Sequence, residues 1–299
     1  MDEEIGEVLD CVPILYGRDR FVTPLRGGIT NRNYLVDTGD ESFVLRIGGE
    51  NTELLGIDRA VEYACSLAAA RLHVGTEVIA FLPEHNALVT RFVPGRLLRP
   101  ADVQEPATLG RIVDALRRYH NGPPGAGLFS PFAVVREYYA LAWNRQVAVP
   151  PSIGEAMERL ARIEAALETA DPPCPCHNDL LPANLIDDGS AVRIIDWEYG
   201  GMGDRFFDLG NLAVNNELDE AQECTLLELY FGELQPAHLR RLRLMRLASD
   251  MRESLWGFLQ AGISTLDYGF LDYGRLHLER FLRASEALDI GPRSVSIQT

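Results

Sequence analysis

The segment His177-Asn178-Asp179-Leu180-Leu181-Pro182-Ala183-Asn184 sets an acid five residues ahead of an amide, and Asp196 follows twelve residues later, ending the apolar run AVRII. This spacing suits phosphoryl transfer. One Asp takes the proton of an attacking hydroxyl, while an Asn and a second Asp hold Mg²⁺. Mg²⁺ is usually held by one or two carboxylates plus substrate phosphates, so the residue types match. Residues 174–201 are otherwise apolar enough for core. Buried acids persist when they are paired, hydrogen-bonded or metal-bound, and a metal with its substrate would compensate them here. A polar turn with helix caps would account for the same letters, so the surrounding elements must decide.

Five strands and one helix are expected in the first third. FVTPLR is followed by Gly27-Gly28, and NYLVDT and ESFVLRI flank a Gly39-Asp40 turn, a strong hairpin signal. Residues 57–71 read as a helix, and EVIAFL and ALVTRFV form another strand pair. After Pro94-Gly95 the pattern turns helical over 103–120, about 132–146, 152–169, 220–231, 236–261 and 269–288, with AVRIID a strand between helices. The reading is α+β: a small antiparallel β-rich lobe with one helix (1–93) and a large, mainly helical lobe (94–299), with a cleft between them.

The β-rich lobe offers a complement to the acids. In ESFVLRI, Val44 and Arg46 face one side of the strand and Phe43, Leu45 and Ile47 the other. Arg46 can thus point into the cleft and grip phosphates with its planar fork, and Glu62 on the next helix can pair with it. A solvated surface charge is the alternative for each. Gly27-Gly28-Ile29-Thr30-Asn31 would let backbone approach phosphates, although a Gly-Gly turn explains it as well. It is neither a Walker A loop nor a G-x-G-x-x-G motif.

The formal charge is −16, which argues against nucleic acid and favours a cationic small molecule. All 28 basic residues are Arg, so chemistry that needs a lysine is excluded. No run approaches a membrane span, and the acidic start MDEEIGEVLD does not read as a secretory signal, so a cytoplasmic protein is expected. Five irregularly spaced cysteines fit reduced thiols. Cys174-Pro-Cys176-His177 lacks the second ligand pair a zinc site needs.

These segments together resemble the choline/ethanolamine kinase family, within the wider aminoglycoside-phosphotransferase and protein-kinase-like fold. GGITNRNYLV resembles its nucleotide loop, VLRI the strand in which Arg commonly replaces the kinase Lys, IDRAVEY its acidic helix and TRFVPGR its hinge. CHNDLLPANL and IDWEYGG resemble its catalytic and metal segments, and FFDLGN follows, where the family's Asp, here Asp208, braces the catalytic loop. The resemblance implies Asp179 as the base and Asn184 and Asp196 on Mg²⁺, with Glu198 helping there or at the acceptor. It also implies an ATP site at Gly28, Thr30, Asn31, Arg46 and Glu62, with adenine against the backbone of Arg91 and Val93. His120, closing LRRYH, resembles a structural helix position.

LWGFLQAGISTLDYGFLDYGRLHLERFL resembles the segment that builds the quaternary-ammonium pocket of choline kinases, with Trp256 and Tyr273 at its aromatic positions. A trimethylammonium donates no hydrogen bond, so aromatic faces receive it, at about 0.5–2 kcal/mol per contact. Core aromatics at helical spacing are the alternative. A second Trp of the eukaryotic pocket falls at Glu253, which either offers its carboxylate to the cation or faces solvent, and a further Tyr has no counterpart. The expected acceptor is a small cationic amino alcohol, choline first and ethanolamine next. Thiamine or an aminoglycoside is the alternative on the same fold. Oligomeric state is left open.

Overall fold

A computed structural model describes residues 3–25, 31–49, 51–167, 172–266 and 268–288. Strands β1 (Phe21–Leu25), β2 (Asn31–Asp37), β3 (Ser42–Gly48), β4 (Val78–Leu82) and β5 (Ala87–Arg91) form an antiparallel sheet in the order β1-β2-β3-β5-β4. Burial alternates along β3. Phe43, Leu45 and Ile47 enter a small core with Val8 and Leu9 from helix α1 (Glu3–Asp10), leaving Val44 and Arg46 on the opposite face. The sequence reading does not include α1, although Ile5, Val8 and Leu9 already carry helical spacing.

Helix α2 (Arg59–Arg71) starts two residues inside the expected segment, capped by Asp58, whose carboxylate accepts from the amides of Ala60 and Val61. Its Cys65 and Ala69 pack with Leu55, Ile57 and Val74 into the larger core, so the hydrophobic cores do not divide at residue 93. Glu62 remains turned toward the sheet, where it meets Arg46.

The helical part contains short α3 (Pro100–Val103), α4 (Pro106–His120), α5 (Pro131–Asn144), α6 (Ile153–Ala165), α7 (Arg205–Asn215), α8 (Glu220–Phe231), α9 (Pro236–Ile263) and α10 (Phe270–Ala287). The expected 103–120 helix is interrupted, because Pro106 opens α4 at its first position. Helix α7 is absent from the sequence reading. Its Gly210 lowers helix propensity, but a Cβ there would meet the α9 backbone at 2.8 Å, so tertiary packing selects it. Strands β6 (Arg96–Leu97), β8 (Leu185–Asp187) and β9 (Val192–Ile194) form one small sheet, and β7 (Cys174–Cys176) pairs with β10 (Gly201–Gly203) in another. Through the middle runs α9, buried from Leu247 to Gln260 and packed on α5, α7 and α10.

Candidate active site

The loop after β7 is held from below by α7. Asp208 accepts from the backbone amides of His177 (2.8 Å) and Asn178 (2.6 Å), and His120 Nε2 donates to it at 2.9 Å. Tyr230 donates its hydroxyl to His120 Nδ1 at 2.7 Å, so one buried chain runs from α8 through α4 to the loop. Asn211 takes the Leu180 amide and is itself fixed by donation to Ser249 Oγ at 2.9 Å. His177 is fully buried. Its Nε2 donates to the Ile195 carbonyl at 2.9 Å and its Nδ1 accepts the Asp179 amide at 3.1 Å, the pattern of a neutral imidazole, and burial holds its pKa down. Asn178 adopts a left-handed φ of 67°, a conformation that Asn tolerates better than most residues, and its amide donates to the Tyr199 carbonyl at 2.9 Å. These restraints fix where Asp179 points.

Asn184 donates its Nδ2 to the Asp179 carbonyl (2.8 Å) and carboxylate (3.3 Å), leaving its Oδ1 as the atom it can offer elsewhere. Asp196, also left-handed at φ 64°, ion-pairs with Arg46, and Arg46 pairs in turn with Glu62. The strand and helix positions read from sequence thus meet one of the two acids directly. Arg59, which the sequence reading passed over, extends the network. It bonds Glu62 (2.7 Å), Glu198 (3.3 Å) and Asn31 Oδ1 (3.3 Å), while Asn31 Nδ2 donates to Glu198 at 3.0 Å. The available signal was its position one helical turn before Glu62. Glu198 therefore sits on the sheet side, bonded to Asn31 and Arg59, rather than with the acceptor aromatics. Burial, then the neighbouring Asp196, raises its pKa.

A cavity of about 350 Å³ lies between sheet and helices, lined by Val44, Arg46, Val93, Asn184, Asp196 and Trp197 among others. Arg91 and Val93 both border it. The Arg91 amide is already committed to the Glu77 carbonyl at 2.8 Å. Its guanidinium turns outward to Glu41 (2.8 Å) and Glu77 (2.5 Å). Gly28 and Thr30 lie outside the described residues.

On the other side of Asp179 the site is closed and dense. Arg252, on α9 and 1% exposed, donates Nη1 to Asp179 Oδ1 (2.8 Å) and Glu253 Oε1 (2.6 Å). Its guanidinium lies 4.1 Å from the centre of the Tyr199 ring, a cation–π contact. Tyr273 donates its hydroxyl to Glu253 Oε2 at 2.7 Å and meets Trp256 edge to face, with ring centres 5.6 Å apart. Trp256 and Tyr273 are therefore brought together, and Glu253 does not face solvent: it is buried beside them. Burial raises the Asp179 pKa to about 6 against the opposing pull of Arg252. For Glu253, burial is outweighed by Arg252, His277 and Tyr273, and its pKa falls. Arg252 was missed in the sequence. The sign of it was a charged run, Asp250-Met251-Arg252-Glu253, inside an otherwise apolar helix.

These contacts depend on how closely α10 approaches α9. A Cβ on Gly257 would meet Gly274 N at 2.8 Å, and Ser254 Oγ donates to the Gly274 carbonyl at 2.9 Å. Only two glycines permit that crossing, and it carries Tyr273 to Glu253. Elsewhere, the Cys174 and Cys176 sulfurs lie 3.7 Å apart. His120, Cys176 and Asp208 form a buried group of ligand-type atoms within 4.8 Å of one another, with both Asp208 oxygens spent on the loop backbone. Among the described residues, no helix is long and apolar enough to cross a membrane.

Known proteins share this architecture. The protein LicA of Haemophilus influenzae is 28% identical over 77% of this chain and 70% of its own length. Ethanolamine kinase 2 of Homo sapiens is 29% identical over 86% of this chain and 74% of its own. The crystal structure of a choline/ethanolamine kinase family protein from Mesorhizobium loti superposes with a TM-score of 0.82 at 29% identity, covering 95% of each chain. The phosphotransferase enzyme family model matches residues 22–245, a span that includes both the sheet carrying Arg46 and the loop carrying Asp179. On that match the chain belongs to the phosphotransferase enzyme family and is a phosphotransferase.

Proposed function

We propose that the protein transfers the γ-phosphoryl group of ATP to the hydroxyl of a small cationic amino alcohol, either ethanolamine or choline. The observation that carries this reading is the placement of Asp179 between two unlike environments. An open, arginine-bearing cavity lies on its Asn184 side and a buried carboxylate–aromatic cluster on its Arg252 side.

In this reading the acceptor oxygen bonds to the γ-phosphorus, the bond from phosphorus to the β-phosphate bridge breaks, ADP leaves, and the hydroxyl proton passes to Asp179. A base with pKa near 6 is ionised at neutral pH and still receives a proton readily. Arg46, braced by Glu62, neutralises phosphate charge. Adenine lies along the Arg91–Val93 connection. The donor set fits Mg²⁺: Asn184 Oδ1 and the part-exposed Asp196 carboxylate are hard oxygens on the same cavity, and both would hold the ion. When bound, Mg²⁺ neutralises charge on the phosphates. Catalysis rests chiefly on positioning and charge stabilisation.

The charge balance supports a cationic acceptor. On the acceptor side two carboxylates, Asp179 and Glu253, share the one guanidinium of Arg252. Glu253 favours a primary ammonium, which donates hydrogen bonds, over a trimethylammonium, which cannot. This places ethanolamine ahead of choline, reversing the order expected from the resemblance. The test is ADP release with a panel of ethanolamine, choline, thiamine and an aminoglycoside. Turnover with the two amino alcohols at least tenfold above the others is expected; silence with both, against turnover of thiamine or an aminoglycoside, would sink the proposal.

A further inference from the structure

Two guanidiniums, Arg46 and Arg59, meet at the carboxylate of Glu62. Arg46 gives Nη2 to Glu62 and Nη1 to Asp196, so the arginine assigned to the phosphates is here paired with the acid assigned to the metal. Both of those side chains border the large cavity. A phosphate chain entering it competes with Asp196 for Nη1. Asp196 tolerates that loss, because its side chain is 30% exposed. The acids around it do not, since Glu62 is 2% exposed and Glu198 6%. A buried carboxylate stripped of its cation is strongly destabilising.

Arg59 meets that need. It is not among the residues lining the cavity. It opens α2, and its Nη1 reaches Glu62 (2.7 Å) and Glu198 (3.3 Å). Its Nη2 donates to Asn31 Oδ1 (3.3 Å) and Thr52 Oγ1 (3.2 Å). Asn31 closes the triangle by donating Nδ2 to Glu198 at 3.0 Å. Asn31 opens β2 on the sheet side, and Glu198 lies two residues past Asp196 on the helical side. One guanidinium thus joins both halves of the site and holds two buried acids at once.

We propose that Arg59 is a positioning residue of the phosphotransfer site: it stays on Glu62 and Glu198 as their standing counter-charge while Arg46 exchanges Asp196 for the phosphates of the nucleotide. The inference rests on the function proposed above, and it names the residue that frees Arg46 for its task. Without Arg59 the two buried acids draw Arg46 back, and the phosphate chain loses its cation. A nucleoside without phosphates does not feel the difference.

The test is equilibrium binding, independent of turnover. ADP with Mg²⁺, and adenosine alone, are titrated by calorimetry into the unmodified protein, Arg59→Gln and Arg59→Lys, with folding checked by thermal melting. Arg59→Gln removes the charge. It should weaken ADP by about tenfold, as for one lost charge-assisted contact, and leave adenosine within about twofold. Arg59→Lys keeps the charge and should hold ADP within about threefold of the unmodified protein. Unchanged ADP affinity in Arg59→Gln overturns the proposal. So does an equal loss for ADP and adenosine, which marks a general distortion of the cavity, and so does a lysine variant as weak as the glutamine one. Should Arg59→Gln fail to fold, a crystal structure of the unmodified protein with ADP and Mg²⁺ decides. Arg59 is expected on Glu62 and Glu198, with Arg46 moved from Asp196 to phosphate; Arg46 still on Asp196 overturns the proposal. An unmodified protein that binds no ADP sinks the proposed function as well, whereas ADP binding indifferent to Arg59→Gln refutes only the role of Arg59.

Discussion

Arg46 and Arg252 each bridge two carboxylates, yet their surroundings differ. Arg46 stands on the open face of β3, against the large cavity, and draws partners from α2 and from the second residue after β9. Arg252 stands in the middle of α9, sealed under Tyr199, and draws partners from the catalytic loop and from its own neighbour Glu253. The first arrangement leaves room for a nucleotide. The second is packed like a core and tolerates only a small ligand. One carboxylate, Asp179, stands between them. The comparison teaches that the network on the sheet side is an electrostatic clamp on a cavity wall, whereas the one on the helical side is a polar network embedded in a helix bundle.

The strongest way to break this picture is at the shared residue. Asp179→Asn should lower kcat by about 10²–10⁴-fold with melting temperature and ATP binding preserved; near-normal turnover would remove the base from the scheme. Next comes the sheet side. Arg46→Met should reduce kcat/KM for ATP on the order of 10²-fold and leave acceptor KM nearly unchanged, because it removes phosphate charge neutralisation and frees Glu62 and Asp196 together. A rise in acceptor KM of equal size would erase the distinction between the halves.

Glu253→Gln sharpens the comparison from the other side. Loss of one charge-assisted hydrogen bond to an ammonium should raise KM for ethanolamine about tenfold, affect choline less, and leave KM for ATP unchanged. The smallest effect is expected from Gly257→Ala, which forces α9 and α10 apart by a methyl group against backbone atoms. Overpacking of this kind destabilises by about 1–3 kcal/mol. The melting temperature should fall by a few degrees, with acceptor KM rising and ATP KM steady; an unchanged melting temperature would show that the helix crossing is looser than the structure has it.

How legible each half was in the sequence follows the same division. Arg46 and Glu62 could be read because strand alternation fixes which side a residue faces and a single helix follows the strand. Asp179, Asn184 and Asp196 could be read because their chemistry depends on short spacings along one loop and strand. Arg59 was one helical turn from Glu62 and could have been found by the same logic. Arg252 could not be read with confidence, since a charge on a long helix is ordinarily a solvated one. Glu198 was singled out as an acid of the site, but its partners Asn31 and Arg59 could not be read, because they lie 167 and 139 residues away. Helix α7 escaped notice because its glycine and asparagines are chosen for close packing and for bracing the loop, at the expense of propensity.

The amino-acid sequence by itself determined the β-rich and helical halves, the strand face of Arg46 and the order of acids and amides along the 177–196 segment. All of these depend on periodicity or on spacing within one local unit, which the chain carries in its order of residues. Only the tertiary structure decided that Glu253 is buried, that Arg252 rests on Tyr199 between two carboxylates, and that Tyr273 reaches Glu253 across the Gly257–Gly274 crossing. Those relations join segments far apart in the chain, and they exist only where close packing of helices excludes water and leaves each charge to find its partner inside the protein.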